Sequence, residues 1–442
     1  MIEIGLVSLG CPKNQVDSEI MTGLIEEAGL KIIDDYNQAE VLIVNTCGFI
    51  GDAKEESIDT ILGLAKYKKD NCQVLIVTGC LSQRYPEELK EEIPEIDAIL
   101  GTGNFDEIVK VINKGLEGEK RFEITDPNFD YQKELPRKKS DIGYTAYVKI
   151  AEGCNNRCSY CVIPDLRGEL RSRKIEDIVK EVTELAKQGV KEVNIVAQDI
   201  TKYGRDLYDE SKLVELLTEL IKIEEIEWFR LLYAYPADFS DDLIEMIAKH
   251  KRICNYIDLP IQHADEEIRK KMGRQGSKED ILALIEKLRN RIPDMTIRTS
   301  LIVGFPGETL KEFNNLLDFI QRAKFDRLGV FTYSQEEGTP AANMPEQIPG
   351  EIKEERYEEV MNLQKTISLE RNQEWIGKEV DMLVEEVEEE AGERLVIGRT
   401  ERDAPEIDGL IYVKGAKVKP ASFIKVRVVD AYEYDLIGEE IE

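Results

Sequence analysis

The sequence predicts an α/β protein in three parts: an N-terminal doubly wound α/β domain, a central partial (β/α)6 barrel and a small C-terminal antiparallel β-barrel. Three observations carry this. Strand-length apolar runs alternate with helical periodicity over the first 120 residues. Six further strand-then-helix units follow from about residue 144 to 350. From about Trp375 onward, short β-branched runs are separated by Gly- and Pro-containing turns. Alternating strands and helices imply parallel sheets, and closely spaced short strands imply a small barrel.

In the first block (1–120), "IEIGLVS", "AEVLIVNT" and "CQVLIVTG" are near-continuously apolar, as strands buried on both faces are. "QVDSEIMTGLIEEAGL" and "EESIDTILGLAKYKK" read as helices between them. Cys11, Cys47 and Cys80 each follow one of these strands, at separations of 36 and 33 residues. Parallel strands share one carboxyl edge, where open α/β sheets bind ligands, so the three thiols should converge on a shared metal site. Cys72, at the entrance of its strand, lies on the opposite edge and serves as an internal control.

Residues 121–143 lack periodicity, contain two prolines and read as a linker whose basic "PRKK" is solvated or touches substrate. In the second block (144–374, including a connecting helix), the strands are "YTAYVKI", "EVNIVAQ", "FRLLYAY", "NYIDLPI", "TIRTSLIVG" and "RLGVFTYS". Thr309 and Glu312 have capping-box spacing. A barrel of this kind carries its chemistry at the strand carboxyl ends. "GCNNRCSYC" follows the first strand and occupies such a position. The third block (375–442) holds 18 acidic and 9 basic residues, a net of −9.

Composition narrows the chemistry. The 442-residue chain is 42% hydrophobic, has strand-length apolar runs and lacks a signal-peptide pattern, which places it in the cytoplasm with no membrane partner. In a reducing compartment its eight cysteines read as metal ligands or catalysts rather than disulfides. Two histidines, His250 and His263, supply little for zinc or general-base schemes, and no HExxH or P-loop motif is present. A net charge of −30 disfavours a polyanionic partner and suits a basic protein, although plain solubility accounts for it too.

Cys154, Cys158 and Cys161 are three ligands where a closed zinc or cubane site wants four. A four-iron cluster held by three thiolates leaves one iron open. S-adenosylmethionine fits there, its amino and carboxylate groups chelating the iron and its sulfonium within electron reach. The x3/x2 spacing resembles the signature of the radical S-adenosylmethionine superfamily, whose cofactor supplies the chemistry while the protein orients it.

The likeness spans the chain. "SLGCPKN", "NTCGFI" and "TGCLSQRYPEEL", then "KIAEGCNNRCSYCVIP", then a terminal β domain of TRAM or OB type, resemble the radical S-adenosylmethionine methylthiotransferases. That resemblance implies two [4Fe-4S] clusters: an auxiliary one on Cys11, Cys47 and Cys80, and a catalytic one on Cys154, Cys158 and Cys161. It also places Ile163, Pro164, Gln198, Ser300 and Gly304 around S-adenosylmethionine, and implies an electron donor such as flavodoxin or ferredoxin. Ordinary roles compete for these positions: Gly304 and Gly307 fit a tight turn, and Gln198 a capping amide. Cys254 matches no ligand position and reads as structural.

Within the family, "LGCPKN", "PIQHAD" with His263, and "DAPEIDG" (403–409) resemble the branch that modifies an aspartate β-carbon in small-subunit ribosomal protein S-twelve. The alternative is the branch that methylthiolates a modified adenosine in transfer RNA. An acidic terminal domain complements a basic ribosomal protein, and direct RNA binding is not expected of it. A non-catalytic iron–sulfur adaptor docking on ribosomes is the reading from another class. Arg157, Arg167, Arg171 and Arg173 surround the cysteine loop and are candidate carboxylate binders, with surface salt bridges as the alternative.

Overall fold

The apolar runs of the first block form β1 (Glu3–Ser8), β2 (Lys31–Ile32), β3 (Val41–Thr46), β4 (Val74–Gly79), β5 (Ala98–Leu100) and β6 (Arg121–Glu123). In this computed structural model, which describes residues 1–128, 135–139, 143–390 and 393–441, they make one parallel sheet in the order β2-β1-β3-β4-β5-β6. Every residue of β3 and β4 is buried, because helices cover both faces. Arg121–Glu123, at the start of the aperiodic stretch, pair with β5 as the edge strand. A three-residue edge strand has no room to show a period. The basic run beyond it is solvated only in part: Arg137 is withdrawn from water and pairs with Glu19 at 2.5 Å and with Glu181, whereas Lys138 is exposed and pairs with Glu26.

The second block begins with β7 (Thr145–Lys149) and a two-residue ribbon of β8 (Ala151–Glu152) and β9 (Arg171–Ser172). It continues through β10 (Glu192–Val196), β11 (Trp228–Leu231), β12 (Ile253–Asp258), β13 (Thr296–Val303) and β14 (Arg327–Thr332). The sheet runs β7-β10-β11-β12-β13-β14, parallel throughout and in chain order, so each crossover winds the same way into an open partial barrel. The Thr309–Glu312 capping box is formed, with the Thr309 amide donating to Glu312 at 3.0 Å.

Outward side chains such as Val193, Ile195, Phe229 and Ile257 pack beneath the helices. Inward ones pack in layers: Glu192 aligns with Thr145 and Trp228, then Asn194 with Tyr147 and Arg230, then Val196 with Lys149. An open barrel leaves this inner face needing cover, and the two other domains supply it. Val16 of helix Pro12–Glu27, and Leu383 and Ala404 of the third block, join Tyr147, Val196, Trp228, Leu232, Cys254 and Tyr256 in one core.

The third block is a closed barrel of β15 (Glu379–Glu390), β16 (Glu393–Thr400), β17 (Ile411–Lys414), β18 (Phe423–Ala431) and β19 (Leu436–Glu440), in the order β15-β16-β17-β19-β18. Its pairs are antiparallel except β17–β19, the parallel pair that lets five strands close. Helix Gly350–Gln373 connects it to the central sheet.

This domain is welded to the inner barrel face by arginines. Glu192 on β10 accepts from Arg230 Nε at 2.8 Å and from Arg399 Nη2 on β16 at 2.6 Å. The "DAPEIDG" loop, an acidic segment of the terminal domain expected to complement a basic protein, is mostly part of this weld. Asp403 accepts from Arg327 at 2.6 Å, and Asp408 accepts from the Tyr256 hydroxyl at 2.6 Å. Only Glu406 and Ile407 at its tip are exposed. Charge patterning reports composition, and these carboxylates are hidden because their partners lie on distant strands.

Candidate active site

Each of the three N-terminal cysteines sits where a parallel strand ends. Cys11 follows β1 and precedes helix Pro12–Glu27, with proline in the first turn where its missing N–H costs nothing. Cys47 follows β3, and its amide donates to Ser57 Oγ at 3.0 Å. Cys80 opens helix Cys80–Arg84 directly after β4. Gly10 has φ +86°, and a Cβ there would stand 2.7 Å from Cys47 Cβ, so the β1 and β3 loops touch where glycine permits it. Asn14 ties the same two loops together, donating to the carbonyls of Leu9 at 2.9 Å and Thr46 at 2.8 Å.

The electrostatics agree with convergence. Burial alone would raise the Cys11 thiol, but Lys13 and Arg167 outweigh it and bring it below its ordinary value. Burial, reinforced by the neighbouring Cys80, pushes Cys47 up to about 11. Burial raises Cys80 too, against Arg167, whose Nε donates to its sulfur at 3.4 Å. Cys72 lies at the amino end of β4 with its thiol turned to the Val74 carbonyl at 3.4 Å.

The second trio lies in the loop between β8 and helix Ile163–Arg167. Gly153, φ +78°, starts the loop, and the Cys154 amide donates to the Gly168 carbonyl at 3.0 Å. Ser159 fastens it to the end of helix Glu266–Lys271, which follows β12: its amide donates to Met272 O at 3.0 Å and its hydroxyl to Lys271 O at 2.8 Å. Burial raises Cys154, and burial followed by the Ile163 amide and the other two cysteines leaves Cys161 at about 12. Arg274 Nη1 lies 3.9 Å from Cys158 Sγ and its guanidinium stacks 4.2 Å from the Tyr235 ring. Arg274 and Tyr235 are 113 to 120 residues and 74 to 81 residues from these cysteines, so no local pattern could mark them.

The two trios adjoin. Cys80 packs against Val162 and Leu166, and Thr102 Oγ1 donates to the Leu166 carbonyl at 2.6 Å. Between them lies a buried charge network. Arg167 pairs with Asp17 at 2.6 Å and Glu152 at 3.1 Å and donates to Asn14. Lys149 pairs with Glu152 at 2.7 Å and with Asp17. Burial would neutralise Glu152, but Lys149 and Arg167 hold its carboxyl far below the usual range.

The softer candidates divide. Ile163 and Pro164 open the helix directly after Cys161. Gln198 lies one inward layer above Val196, donates to Glu152, and leaves its buried Oε1 without a partner. Ser300 shares the inward face of β13 with Arg298, whose Nη1 donates to Asp258 at 2.9 Å. Gly304 makes a strand-to-helix turn at φ +73° in which its amide donates to Glu308 at 3.0 Å. Among the described residues no hydrogen bond joins Ser300 or Gly304 to either trio.

His263 is fully buried, its Nδ1 accepting from the Asp265 amide at 3.0 Å and its Nε2 3.4 Å from Glu308. Cys254 lies in the inner-face core. Of the four arginines near the cysteine loop, Arg167 and Arg173 are held by carboxylates, Arg173 pairing with Glu181 at 2.5 Å, and Arg171 donates to Asn128 and to backbone carbonyls. Only Arg157 is exposed.

The donor set suits iron–sulfur clusters. All six are free thiols, half-buried or buried, with guanidinium groups close to Cys80 and Cys158. Among the described residues no three ligating side chains are drawn to the spacing a single ion needs. A cubane, with its thiolates on separate iron corners, does not need it. The orphaned Gln198 Oε1 is an acceptor with nothing to accept from, at the carboxyl end of the barrel where a donor-bearing ligand belongs.

Comparison with known proteins matches residues 148–320 to the Radical SAM superfamily, 3–101 to uncharacterized protein family UPF0004 and 376–441 to the TRAM domain. The ribosomal protein uS12 methylthiotransferase RimO of Desulforamulus reducens is 54% identical over 442 residues, covering 99% of each chain. That of Clostridioides difficile is 51% identical, again covering 99% of each. Among solved structures, the radical S-adenosylmethionine methyltransferase TsrM of Kitasatospora setae is similar in fold, with a TM-score of 0.57 at 14% identity over 77% of this chain and 73% of that one.

Proposed function

The chain belongs to the ribosomal protein uS12 methylthiotransferase family, and from that membership we propose that it replaces a hydrogen on the β-carbon of an aspartate in uS12 by a methylthio group. The observation that carries the reading is the abutment of the two cysteine trios, with Cys80 packed on the helix that follows Cys161. In this reading Cys154, Cys158 and Cys161 hold the cluster that binds S-adenosylmethionine, and Cys11, Cys47 and Cys80 hold a second one. When bound, these groups supply one-electron cleavage of S-adenosylmethionine and the sulfur chemistry.

The chain's own residues bind and orient. Ser159 fixes the Cys154–Cys161 loop to the barrel, and Arg167 locks the two domains at the point where the trios meet. Gln198 offers its free acceptor to the cofactor. Helix Pro12–Glu27 roofs the inner face and keeps water from it. An external donor such as flavodoxin or ferredoxin completes the reaction, in the cytoplasm where ribosomes are assembled.

The test is a competition. The reconstituted enzyme is given reductant, S-adenosylmethionine, uS12 and bulk transfer RNA under anaerobic conditions, and both polymers are analysed by mass spectrometry. The expected result is methylthio gain on the uS12 aspartate alone. Gain on RNA alone would keep the chemistry and reverse the substrate.

A further inference from the structure

The buried network between the trios holds three cations and two carboxylates. Arg167 and Lys149 share Asp17 and Glu152. Lys13 is the third cation. It is 8% exposed and has no ion-pair partner among the described residues. Its ammonium instead rests 3.7 Å from the centroid of the Tyr233 ring.

Two features show that this placement is built. Lys13 lies in the first turn after Cys11, so its backbone is fixed by the loop that carries the first trio, while Tyr233 follows β11 at the barrel's carboxyl end. The lysine thus reaches from one domain into the mouth of the other. Tyr233 is held at φ +64°, which a bulky side chain rarely adopts, with its amide donating to Asp258 at 3.1 Å and its carbonyl accepting from the Ile200 amide at 3.1 Å. A strained aromatic beneath an ammonium with no carboxylate at ion-pair distance among the described residues is an incomplete arrangement. A buried charge costs free energy unless it is paired, and the ring satisfies only part of it.

We propose that Lys13 is the anchor for the carboxylate of the substrate aspartate, its Nζ donating to a carboxylate oxygen above the Tyr233 ring. This rests on the aspartate reading above. It explains why the cation is unpaired before substrate arrives, and it sets the target β-carbon, one bond from that carboxylate, at the junction of the two domains. Tyr233 packs against the inner-face core that contains Tyr147 and Ala404, and Ala404 begins the turn whose tip, Glu406, is exposed.

The competing role for Lys13 is to balance charge at the trio beginning with Cys11, and one experiment separates the two. The reconstituted full-length enzyme, as wild type, Lys13→Met and Lys13→Arg, is titrated with uS12 and with uS12 whose target aspartate is changed to asparagine. Iron content is measured on each variant, and methylthio gain on uS12 is measured for the wild type. The wild type is expected to bind the aspartate form about a hundredfold tighter, the scale for leaving one member of a desolvated charge pair alone. Lys13→Met should bind both forms equally, at the weaker affinity, with its iron intact, and Lys13→Arg should keep part of the preference. A retained preference in Lys13→Met, or loss of iron from it, overturns the assignment. If the wild type does not methylthiolate uS12, the aspartate reading itself falls and takes this inference with it.

Discussion

The central barrel meets its two neighbours through two buried ionic seams, and they are built differently. On the terminal side arginine-to-carboxylate pairs across β surfaces carry the contact: Glu192 with Arg230 and Arg399, Asp403 with Arg327, Asp408 with Arg298 at 3.5 Å. Arginine's rigid fork fits such sites and fixes orientation. On the N-terminal side, lysines enter, the Cys80 sulfur is among the acceptors, and one cation has no ion-pair partner among the described residues. Even Arg402, fully buried and without a side-chain hydrogen bond among the described residues, keeps a carboxylate within reach, Asp326 at 3.8 Å, while it stacks on Trp375, so the terminal seam holds its domain in place. A seam with a surplus charge beside six thiols has something still to bind.

The comparison is broken most forcefully by Arg167→Met. Asp17 and Glu152 would then share Lys149 alone, and removing one partner of a buried network costs about 3–5 kcal/mol. Because Arg167 also donates to Cys80 and Asn14, iron at the first trio should fall and methylthio transfer should drop below detection. Calorimetry and iron assay check this. A variant destabilised but with full iron and activity would show that this seam, too, is only a weld.

Glu192→Gln tests the other side. Burial would raise this carboxyl, but Arg399 and Arg230 hold it down to about 2. A depressed folded pKa means that the stabilisation, about 3 kcal/mol by linkage, is complete above the unfolded carboxylate value near 4–5. It is lost as pH falls through that range toward 2. Wild-type melting temperature should therefore decline over this acid window more steeply than that of Glu192→Gln, and the variant should be less stable at neutral pH. Both trios should keep their iron.

How legible each seam is in the sequence follows from the same contrast. The cysteine trios could be placed because each follows an apolar run that must be a parallel strand, and parallel strands share an edge. The seams could not. Helix Pro12–Glu27 buries Lys13, Asn14, Asp17, Ser18 and Glu19 along with its apolar side. Those residues look like a solvated face, and Asp17 finds Lys149 only 132 residues later. "DAPEIDG" misleads in the same way, since Arg327 and Arg298 give no sign in the sequence that they point at it. The linker's "PRKK" reads as solvated or substrate-touching because it lies in an aperiodic stretch, while the partners of Arg137, Glu19 and Glu181, lie on either side of the junction.

The smallest expected effect is the sharpest control. Cys47 and Cys72 lie in the same domain, Cys47 at the carboxyl end of β3 and Cys72 at the amino end of neighbouring β4, with the sheet's length between them. Cys72→Ala removes one sulfur from a site that is 4% exposed and packed among Leu42, Leu75 and Ile61, a loss of about 1 kcal/mol on the scale of small core truncations. Its iron content and activity should match the wild type. Cys47→Ala deletes a side chain of similar size, so its packing cost is of the same order, yet it should lose the iron of one cluster while retaining that of the other. Iron per chain, measured on the two variants side by side, separates position along the strand from the mere presence of a thiol. Equal iron in both would mean that the carboxyl edge of this sheet is not where the first cluster is held.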